Sequence, residues 1–195
     1  MADAAASEPV LPDRFVDGEL VVRRWTVDDS VALHEAIERN VEHLRPWMPW
    51  IALEPQVLEQ RVALIETWED EWRRGGDVVL AVLLDDEVAG SAGLHRRIGP
   101  GGLEIGYWID KDKVGGGIAT RVARLLTTAA FSIRGIERVE IPCDAENHRS
   151  RRVPEKLGYS FVGLRPAPIL APAETGQHRV HRMQRTDWHA AQRRT

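Results

Sequence analysis

The stretch LEIGYWIDKDKVGGGIATRVARLLTTAAFS (residues 103–132) decides the fold, because it predicts a strand, a glycine-rich turn and a helix in direct succession. Successive side chains of 103–110 lie on opposite faces of a strand, and apolar residues then recur at helical spacing from Ile118 to Ala129. Glycines let the backbone approach a ligand closely, and the N–H groups at a helix start have no partner within the helix. The turn at 114–120 therefore predicts an anion site, although a plain tight turn has the same pattern.

The segments on either side predict a chain order of β-α-α-β-β-β-α-β-α-β-β. Glycines, prolines and acidic turns separate these segments. The predicted strands are 20–25, 78–84, 87–97, 103–110, 138–143, 159–165 and 180–184, and the predicted helices are 26–41, 57–74, 118–134 and 150–157. The order favours one α/β (α+β) domain with a mixed, mostly antiparallel sheet of six to seven strands and helices on both faces.

Composition limits the class of protein. A chain of 195 residues with 43% apolar residues can close one core, and a net charge of -4 disfavours a general binder of nucleic acid or of an anionic membrane. No window has the ~20 apolar residues of a membrane helix and no secretory leader precedes the domain, which predicts a cytoplasmic protein. We expect a tail at 1–13, a single domain at 14–190 and a C-terminal tail at 191–195.

Two common nucleotide-binding loops do not fit the glycine turn. A P-loop needs a lysine directly after its last glycine, and Ile118 stands there. A dinucleotide fold places its glycine motif in the first strand-turn-helix unit between parallel strands, whereas this turn follows a predicted antiparallel hairpin. The anion therefore belongs to another class of ligand.

Three segments resemble the GCN5-related N-acetyltransferase (GNAT) superfamily, and most closely its RimJ/RimL-type branch. They are LEIGYWID (103–110), GGGIAT (115–120) and CDAENHRSRRVPEKLGY (143–159), and RPWMPW (45–50) lies between the first two helices, as it often does in this branch. Two residues depart from the family pattern. Val114 replaces an Arg or Gln at the start of the turn, and Pro154 lies inside a helix, where we expect it in the first turn.

The resemblance implies a GNAT fold and acetyl-CoA, or another acyl-CoA, as co-substrate. In this family the thioester lies in a splayed gap between two strands, and backbone N–H groups hold the pantetheine and polarise the carbonyl. The implied cofactor-binding residues are Tyr107, Trp108, Ile109, Val114, Gly115, Gly116, Gly117, Ile118, Ala119, Thr120, Asn147, Ser150 and Lys156.

The same resemblance implies the residues of acyl transfer. Glu104 shares a strand face with Gly106 and Trp108, and we expect it to contact the acceptor and act as general base. Ser150 and Tyr159 are rival acids for the departing thiolate. Trp47 and Trp50 are candidates for the acceptor pocket. Asn147 and Ser150 also have the spacing of a helix cap, which alone explains them adequately.

We expect direct transfer of an acetyl group to a primary amine, either a protein N-terminus or a small molecule, without a covalent enzyme intermediate. The single cysteine, Cys143, is expected to be a buried strand residue, and no histidine spacing indicates a metal site. Two alternatives stay open: a larger donor such as succinyl-CoA, and a non-catalytic acyl-CoA sensor. No nucleic-acid or membrane partner is expected, and the sequence leaves the oligomeric state open, a homodimer included.

Overall fold

The computed structural model describes residues 11–193, which form one eight-stranded sheet covered by five α-helices. The strands are β1 (Arg14–Asp17), β2 (Leu20–Arg24), β3 (Val78–Leu84), β4 (Glu87–His95), β5 (Gly102–Ile109), β6 (Arg138–Asp144), β7 (Ser160–Pro166) and β8 (Gln177–Gln184). The helices are α1 (Ser30–Leu44), α2 (Leu58–Arg73), α3 (Ile118–Ser132), α4 (His148–Lys156) and α5 (Arg185–Gln192), with short 3-10 turns at Val27–Asp29 and Pro49–Leu53.

The sheet has the strand order β1-β2-β3-β4-β5-β6-β8-β7. Every neighbouring pair is antiparallel except β5 and β6, which run parallel. That parallel pairing extends only from Gly102–Glu104 on β5 to Arg138–Glu140 on β6. Beyond it the two strands continue without pairing, so the middle of the sheet opens into a gap.

Strand periodicity explains the two core layers on the two faces of the sheet. In β3, Leu80 and Val82 pack in the larger cluster with α3 and α5, whereas Ala81 and Leu83 pack in the second cluster with α1 and α2. Ile118, Val122 and the other apolar residues of α3 supply one layer, and Leu33 and Ile37 of α1 supply the other. Both faces of the sheet are therefore covered, as the sequence predicts.

The predicted fold class is confirmed, but the sheet has eight strands instead of six to seven. β1 is the additional strand; it pairs with β2 across a tight turn in which Gly18 has a φ of 59°. Three of its four residues are exposed, so the buried-face pattern that predicts strands is missing. Helix α5 is also additional. It buries Trp188, and the Arg185 guanidinium donates to the carbonyl oxygens of Phe131 in the last turn of α3 and of Ile133 and Ile136 beyond it.

The predicted tails fall largely outside the described residues, because 1–10 and 194–195 are not among them. Leu11 is half-buried against the core, and α5 continues to Gln192. Within residues 11–193 no helix is both long and apolar enough to cross a membrane. The cytoplasmic location stays a prediction.

Glu140 ties the last three strands of the sheet order together. Its side chain is 1% exposed, and its carboxylate accepts hydrogen bonds from Arg182 Nε of β8 at 2.9 Å and Arg165 Nη2 of β7 at 2.8 Å. Burial alone would raise the pKa of this carboxyl, but the two guanidinium groups outweigh it and lower the pKa.

We expect Glu140→Gln to lower the free energy of unfolding by about 1–3 kcal/mol at neutral pH, because it removes the charge from two hydrogen bonds. The folded-state pKa is lowered, so the contribution is complete above the unfolded-state value of about 4.3 and is lost as pH falls through the folded-state value. Urea unfolding of both proteins at a series of pH values measures this. A difference that stays constant down to the most acidic pH would contradict the assignment.

Candidate active site

The gap between β5 and β6 is the centre of a cavity of about 890 Å³ that reaches both faces of the sheet. On one face the cavity is lined by Trp50 and by Trp68 of α2, and on the other by Asn147 and Ser150 of α4. A molecule that enters from the α4 face can therefore meet a second molecule that enters from the α2 face. Neighbouring strands elsewhere in the described sheet are paired along most of their length, so the gap is where two such ligands can come into contact.

The edge of β5 that borders the gap carries free backbone donors. The N–H of Asp110, just beyond β5, donates to Ala89 O of β4 at 2.8 Å. Because successive N–H groups along a strand point to opposite edges, those of Tyr107 and Ile109 point into the gap, where no strand pairs with them. Of the three predicted pantetheine donors, the N–H groups of Tyr107 and Ile109 thus point into the gap, whereas that of Trp108 points to β4.

The glycine turn has the geometry of an open helix start. Gly115 and Gly117 have φ angles of 91° and 81°, and a Cβ added at either would meet no atom within 4 Å. Glycine is therefore required there by backbone conformation and not by crowding within the protein. The first helical bond runs from Arg121 N to Gly117 O at 3.0 Å, which leaves the N–H groups of Ile118, Ala119 and Thr120 without partners in the helix. Val114, 41% exposed, adds only an apolar side chain.

Helix α4 begins as its sequence predicts. Asn147 is the N-cap, and its Oδ1 accepts a hydrogen bond from Ser150 N at 3.1 Å. The Ser150 hydroxyl lies 3.0 Å from the Tyr107 hydroxyl across the gap. The cap therefore holds Ser150 in the cavity wall beside β5.

The expected place of Pro154 in the first turn of α4 is wrong. It is the seventh residue of the nine in that helix, so it leaves Ser150 O without its usual donor four residues later. The Tyr107 hydroxyl donates to that oxygen at 3.2 Å. A side chain from β5 thus replaces the missing helical bond and fixes the distance between α4 and the gap.

We expect Tyr107→Phe to lower the free energy of unfolding by about 1 kcal/mol, because Ser150 O then loses its donor. Adding Pro154→Ala to that variant should restore most of the loss, since it supplies the missing helical N–H. Thermal and urea unfolding of the single and double variants measure this. If the two substitutions are simply additive, the replacement role of Tyr107 is wrong.

The predicted acceptor residues line the same cavity. The Glu104 side chain is 15% exposed, and its Oε1 lies 3.5 Å from Arg97 Nη1. Trp47 and Trp50 both belong to the lining, and the Trp50 ring packs against Trp108 with ring centroids 6.4 Å apart. The structure thus brings Glu104, Trp50 and Ser150 around one cavity, while their roles stay predictions.

Tyr159 and Lys156 do not line this cavity. The Tyr159 side chain is buried, its hydroxyl lies 2.6 Å from Thr127 Oγ1 of α3, and burial raises its pKa. Lys156 is an exposed residue at the end of α4. Ser150 is therefore better placed than Tyr159 to reach a thiolate in the gap.

Cys143 is buried, as the sequence predicts, and lines the cavity from β6. Burial raises the pKa of its thiol to about 11, so the thiol stays protonated at neutral pH. Between residues 11 and 193 no three His, Cys, Asp or Glu side chains are grouped to hold a metal ion. The absence of a metal stays a prediction.

His95 lines the cavity at the end of β4, and its sequence context alone gives no sign of this position. It lies directly opposite Glu104 in the β4–β5 register, and its Nδ1 is 2.7 Å from Asp77 Oδ2. The predicted strands 87–97 and 103–110 leave residues 98–102 between them, and a hairpin closed there brings His95 within one residue of its observed partner Glu104. The contact with Asp77, which precedes β3, could not be found without the folded sheet.

Comparison with known proteins identifies the family. Residues 19–160 match the family model described as the acetyltransferase (GNAT) domain. YdaF of Bacillus subtilis (strain 168), provisionally named a ribosomal N-acetyltransferase, is 30% identical over 154 residues, which are 76% of this chain and 81% of YdaF.

Two solved structures share the fold. RimL, a ribosomal L7/L12 alpha-N-protein acetyltransferase in complex with coenzyme A, matches with a TM-score of 0.79 at 20% identity, covering 89% of this chain and 97% of RimL. The microcin C7 self-immunity acetyltransferase MccE, in complex with acetyl-CoA and AMP, matches with a TM-score of 0.81 at 18% identity, covering 90% of this chain and 98% of MccE. The chain belongs to the GNAT family, and the predicted class, an N-acetyltransferase, is confirmed.

Proposed function

We propose that this protein transfers the acetyl group of acetyl-CoA to the α-amine of a protein N-terminus by direct attack in a ternary complex. The observation that carries the proposal is the cavity through the split sheet, which exposes the β5 edge and Ser150 on one side and Glu104 and Trp50 on the other. Donor and acceptor can thus meet without a covalent enzyme intermediate. The raised pKa of the Cys143 thiol, about 11, agrees with direct transfer.

The donor lies across α3 and α4. The pyrophosphate accepts hydrogen bonds from the N–H groups of the turn at 114–120, where the helix dipole also favours negative charge. The pantetheine runs along the free edge of β5, and the thioester carbonyl accepts a hydrogen bond from a backbone N–H there. This hydrogen bond becomes stronger as negative charge develops on the carbonyl oxygen, so it stabilises the transition state more than the bound thioester.

Proton transfer is divided between the two faces. The amine nitrogen attacks the thioester carbon and loses a proton to Glu104, directly or through one water. The C–S bond breaks, and the thiolate takes a proton from the Ser150 hydroxyl, which lies 3.0 Å from the Tyr107 hydroxyl and then regains a proton from water. A thiol has a pKa of about 8.5, so this protonation is a smaller contribution than deprotonation of the amine.

A protein N-terminus is the acceptor that agrees with the names of the relatives. RimL is named for α-amine acetylation of a ribosomal protein, and YdaF carries a ribosomal name. An α-amine has a pKa of about 7.7–8.0, against about 10.4 for lysine, so it needs less help from a single carboxylate. Trp47 and Trp50 give the α2 side of the cavity an apolar surface, against which the side chain of the acceptor's N-terminal residue can pack.

A thiol-release assay with mass analysis of the products tests the proposal. Acetyl-CoA and succinyl-CoA are each offered with peptides that have a free N-terminus, the same peptides with a blocked N-terminus and an internal lysine, and small amines. The proposal requires acetylation of the free α-amine with acetyl-CoA. Modification of lysine or of small amines alone would contradict the acceptor, faster turnover with succinyl-CoA would contradict the donor, and cofactor binding without transfer would identify a sensor.

A further inference from the structure

The cavity contains a second group that can accept a proton, besides Glu104. His95 Nδ1 lies 2.7 Å from Asp77 Oδ2, and the imidazole side chain is 15% exposed. A carboxylate at Nδ1 selects the tautomer with the proton on that nitrogen, which leaves Nε2 with its lone pair. Asp77 is itself held in place, since its Oδ1 accepts a hydrogen bond from Arg96 N at 2.8 Å.

The free nitrogen of His95 lies over two glycines in the cavity wall. A Cβ added at Gly93 of β4 would lie 2.8 Å from His95 Nε2, and one added at Gly106 of β5 would lie 3.5 Å from it. The ring therefore occupies space that side chains would fill at those two positions. Gly106 is two residues beyond the last paired residue of β5, so Nε2 lies beside the start of the gap.

Three charged groups face His95 from the elements around it. They are Asp77 before β3, Arg97 after β4 and Glu104 on β5. Burial lowers the pKa of His95, Asp77 and Glu104 oppose this, and Arg97 adds to it, with a net lowering from 6.5. His95 is therefore neutral at pH 7 and available as a base.

The chemistry of amide formation has room for two bases. An amine that arrives as R–NH₃⁺ loses two protons on its way to the amide, one before the nitrogen can attack and one as the C–N bond becomes an amide bond. One of these protons balances the thiolate that leaves as the C–S bond breaks, and the other goes to solvent. If a single carboxylate takes the second proton, the enzyme has no group for the first, and the ammonium must lose that proton to bulk water before it binds.

We propose that His95, oriented by Asp77, takes the first proton from the acceptor ammonium and thereby generates the attacking amine inside the cavity. The proton moves to His95 Nε2 and from there to water, and the nitrogen lone pair then attacks the thioester carbon while Glu104 takes the second proton. This inference rests on the proposed acetyl transfer and extends it by a further catalytic residue, His95, and a positioning residue, Asp77.

The test is the pH dependence of kcat/KM for a peptide α-amine. In wild type, the acid limb of the profile should have the pKa of His95, which is below 6.5. In His95→Gln, the acid limb should instead have the pKa of the free amine, about 7.7–8.0. At about pH 7 the kcat/KM of the variant should be about five- to tenfold lower than that of wild type, because only about a tenth to a fifth of the free amine is neutral at that pH. In alkaline solution the two values should become similar. A uniform loss at every pH, or an unchanged acid limb, would overturn the proposal.

Asp77→Asn tests whether Asp77 keeps His95 Nε2 free to accept the proton, and it changes the shape of the cavity less than His95→Gln does. The amide oxygen of the new side chain keeps the bond from Arg96 N, so its NH₂ group faces His95 Nδ1 and forces the proton onto Nε2. Nitrogen NMR of His95 should show Nε2 unprotonated in wild type and protonated in this variant, and the acid limb should move as in His95→Gln. A histidine with an unprotonated Nε2 in both proteins would overturn the role of Asp77.

Two comparisons separate this inference from other failures. His178 is the other histidine of the cavity lining, and His178→Gln should keep the wild-type acid limb. If wild type acetylates no amine at any pH, the proposed function fails and this inference fails with it. If wild type acetylates the α-amine and His95→Gln has the same acid limb, only the inference about His95 fails.

Discussion

Glu104→Gln is expected to lower kcat by about 100- to 10,000-fold, the usual contribution of a positioned general base, while KM for acetyl-CoA stays unchanged. The amide has nearly the shape of the carboxylate but cannot take the proton from the attacking nitrogen. The side chain lies in the cavity wall opposite His95, away from the glycine turn that we propose as the pyrophosphate site. Steady-state kinetics with a peptide acceptor at several pH values measure both constants.

Arg97→Gln is the control for this prediction. This substitution removes the Arg97 guanidinium, whose Nη1 lies 3.5 Å from Glu104 Oε1, but keeps the Glu104 carboxylate. We therefore expect kcat to change far less than in Glu104→Gln. The loss in Glu104→Gln should also persist in alkaline solution, where a free amine is already neutral, because the second proton still needs an acceptor. A Glu104→Gln enzyme that turns over at the wild-type rate would show that this carboxylate is not the base.

Gly117→Ala is expected to raise KM for acetyl-CoA by about ten- to a hundredfold, which corresponds to the loss of one hydrogen bond to a charged group, about 1.5–3 kcal/mol. Gly117 is the N-cap of α3 with a φ of 81°, and an alanine in that conformation is strained by about 1–2 kcal/mol. The turn relieves the strain by rotating, which moves the N–H groups away from the pyrophosphate. Kinetics together with calorimetric titration of acetyl-CoA measure the change.

Gly135 provides a matched control at the other end of α3. It also has a φ of 81°, and a Cβ there would also meet no atom within 4 Å. Gly135→Ala should therefore cost a similar free energy of unfolding and leave KM for acetyl-CoA unchanged. Equal effects of the two substitutions on KM would mean that the glycine turn does not hold the cofactor.

The fold was largely predictable because its elements have strong local signals. The strand from 103 to 110, the three glycines and the amphipathic α3 lie where their periodicity places them. β1 and α5 were not predictable, because side-chain contacts with residues distant in sequence contribute to their stability. β1 depends on pairing with β2 and on Arg121 of α3, whose side chain binds Asp17 Oδ2 at 2.7 Å and Glu19 Oε1 at 2.8 Å.

The candidate site was predictable where a residue acts through its place in an element. The cap at Asn147 and the strand face of Glu104 follow from spacing alone. Contacts between elements were not predictable, and these include the bond from Tyr107 to Ser150 O that replaces the helical bond missing at Pro154. The pairing of Asp77 with His95 also joins side chains that only the folded sheet brings together.

The most direct test of the central claim is a crystal structure of this protein with acetyl-CoA. We predict pyrophosphate oxygens about 2.7–3.2 Å from backbone nitrogens of the turn at 114–120, at ordinary hydrogen-bond distance. The thioester carbonyl should lie in the gap between β5 and β6, with its carbon open to the face that carries Glu104 and His95. A pyrophosphate bound away from the turn, or a thioester outside the gap, would contradict the account.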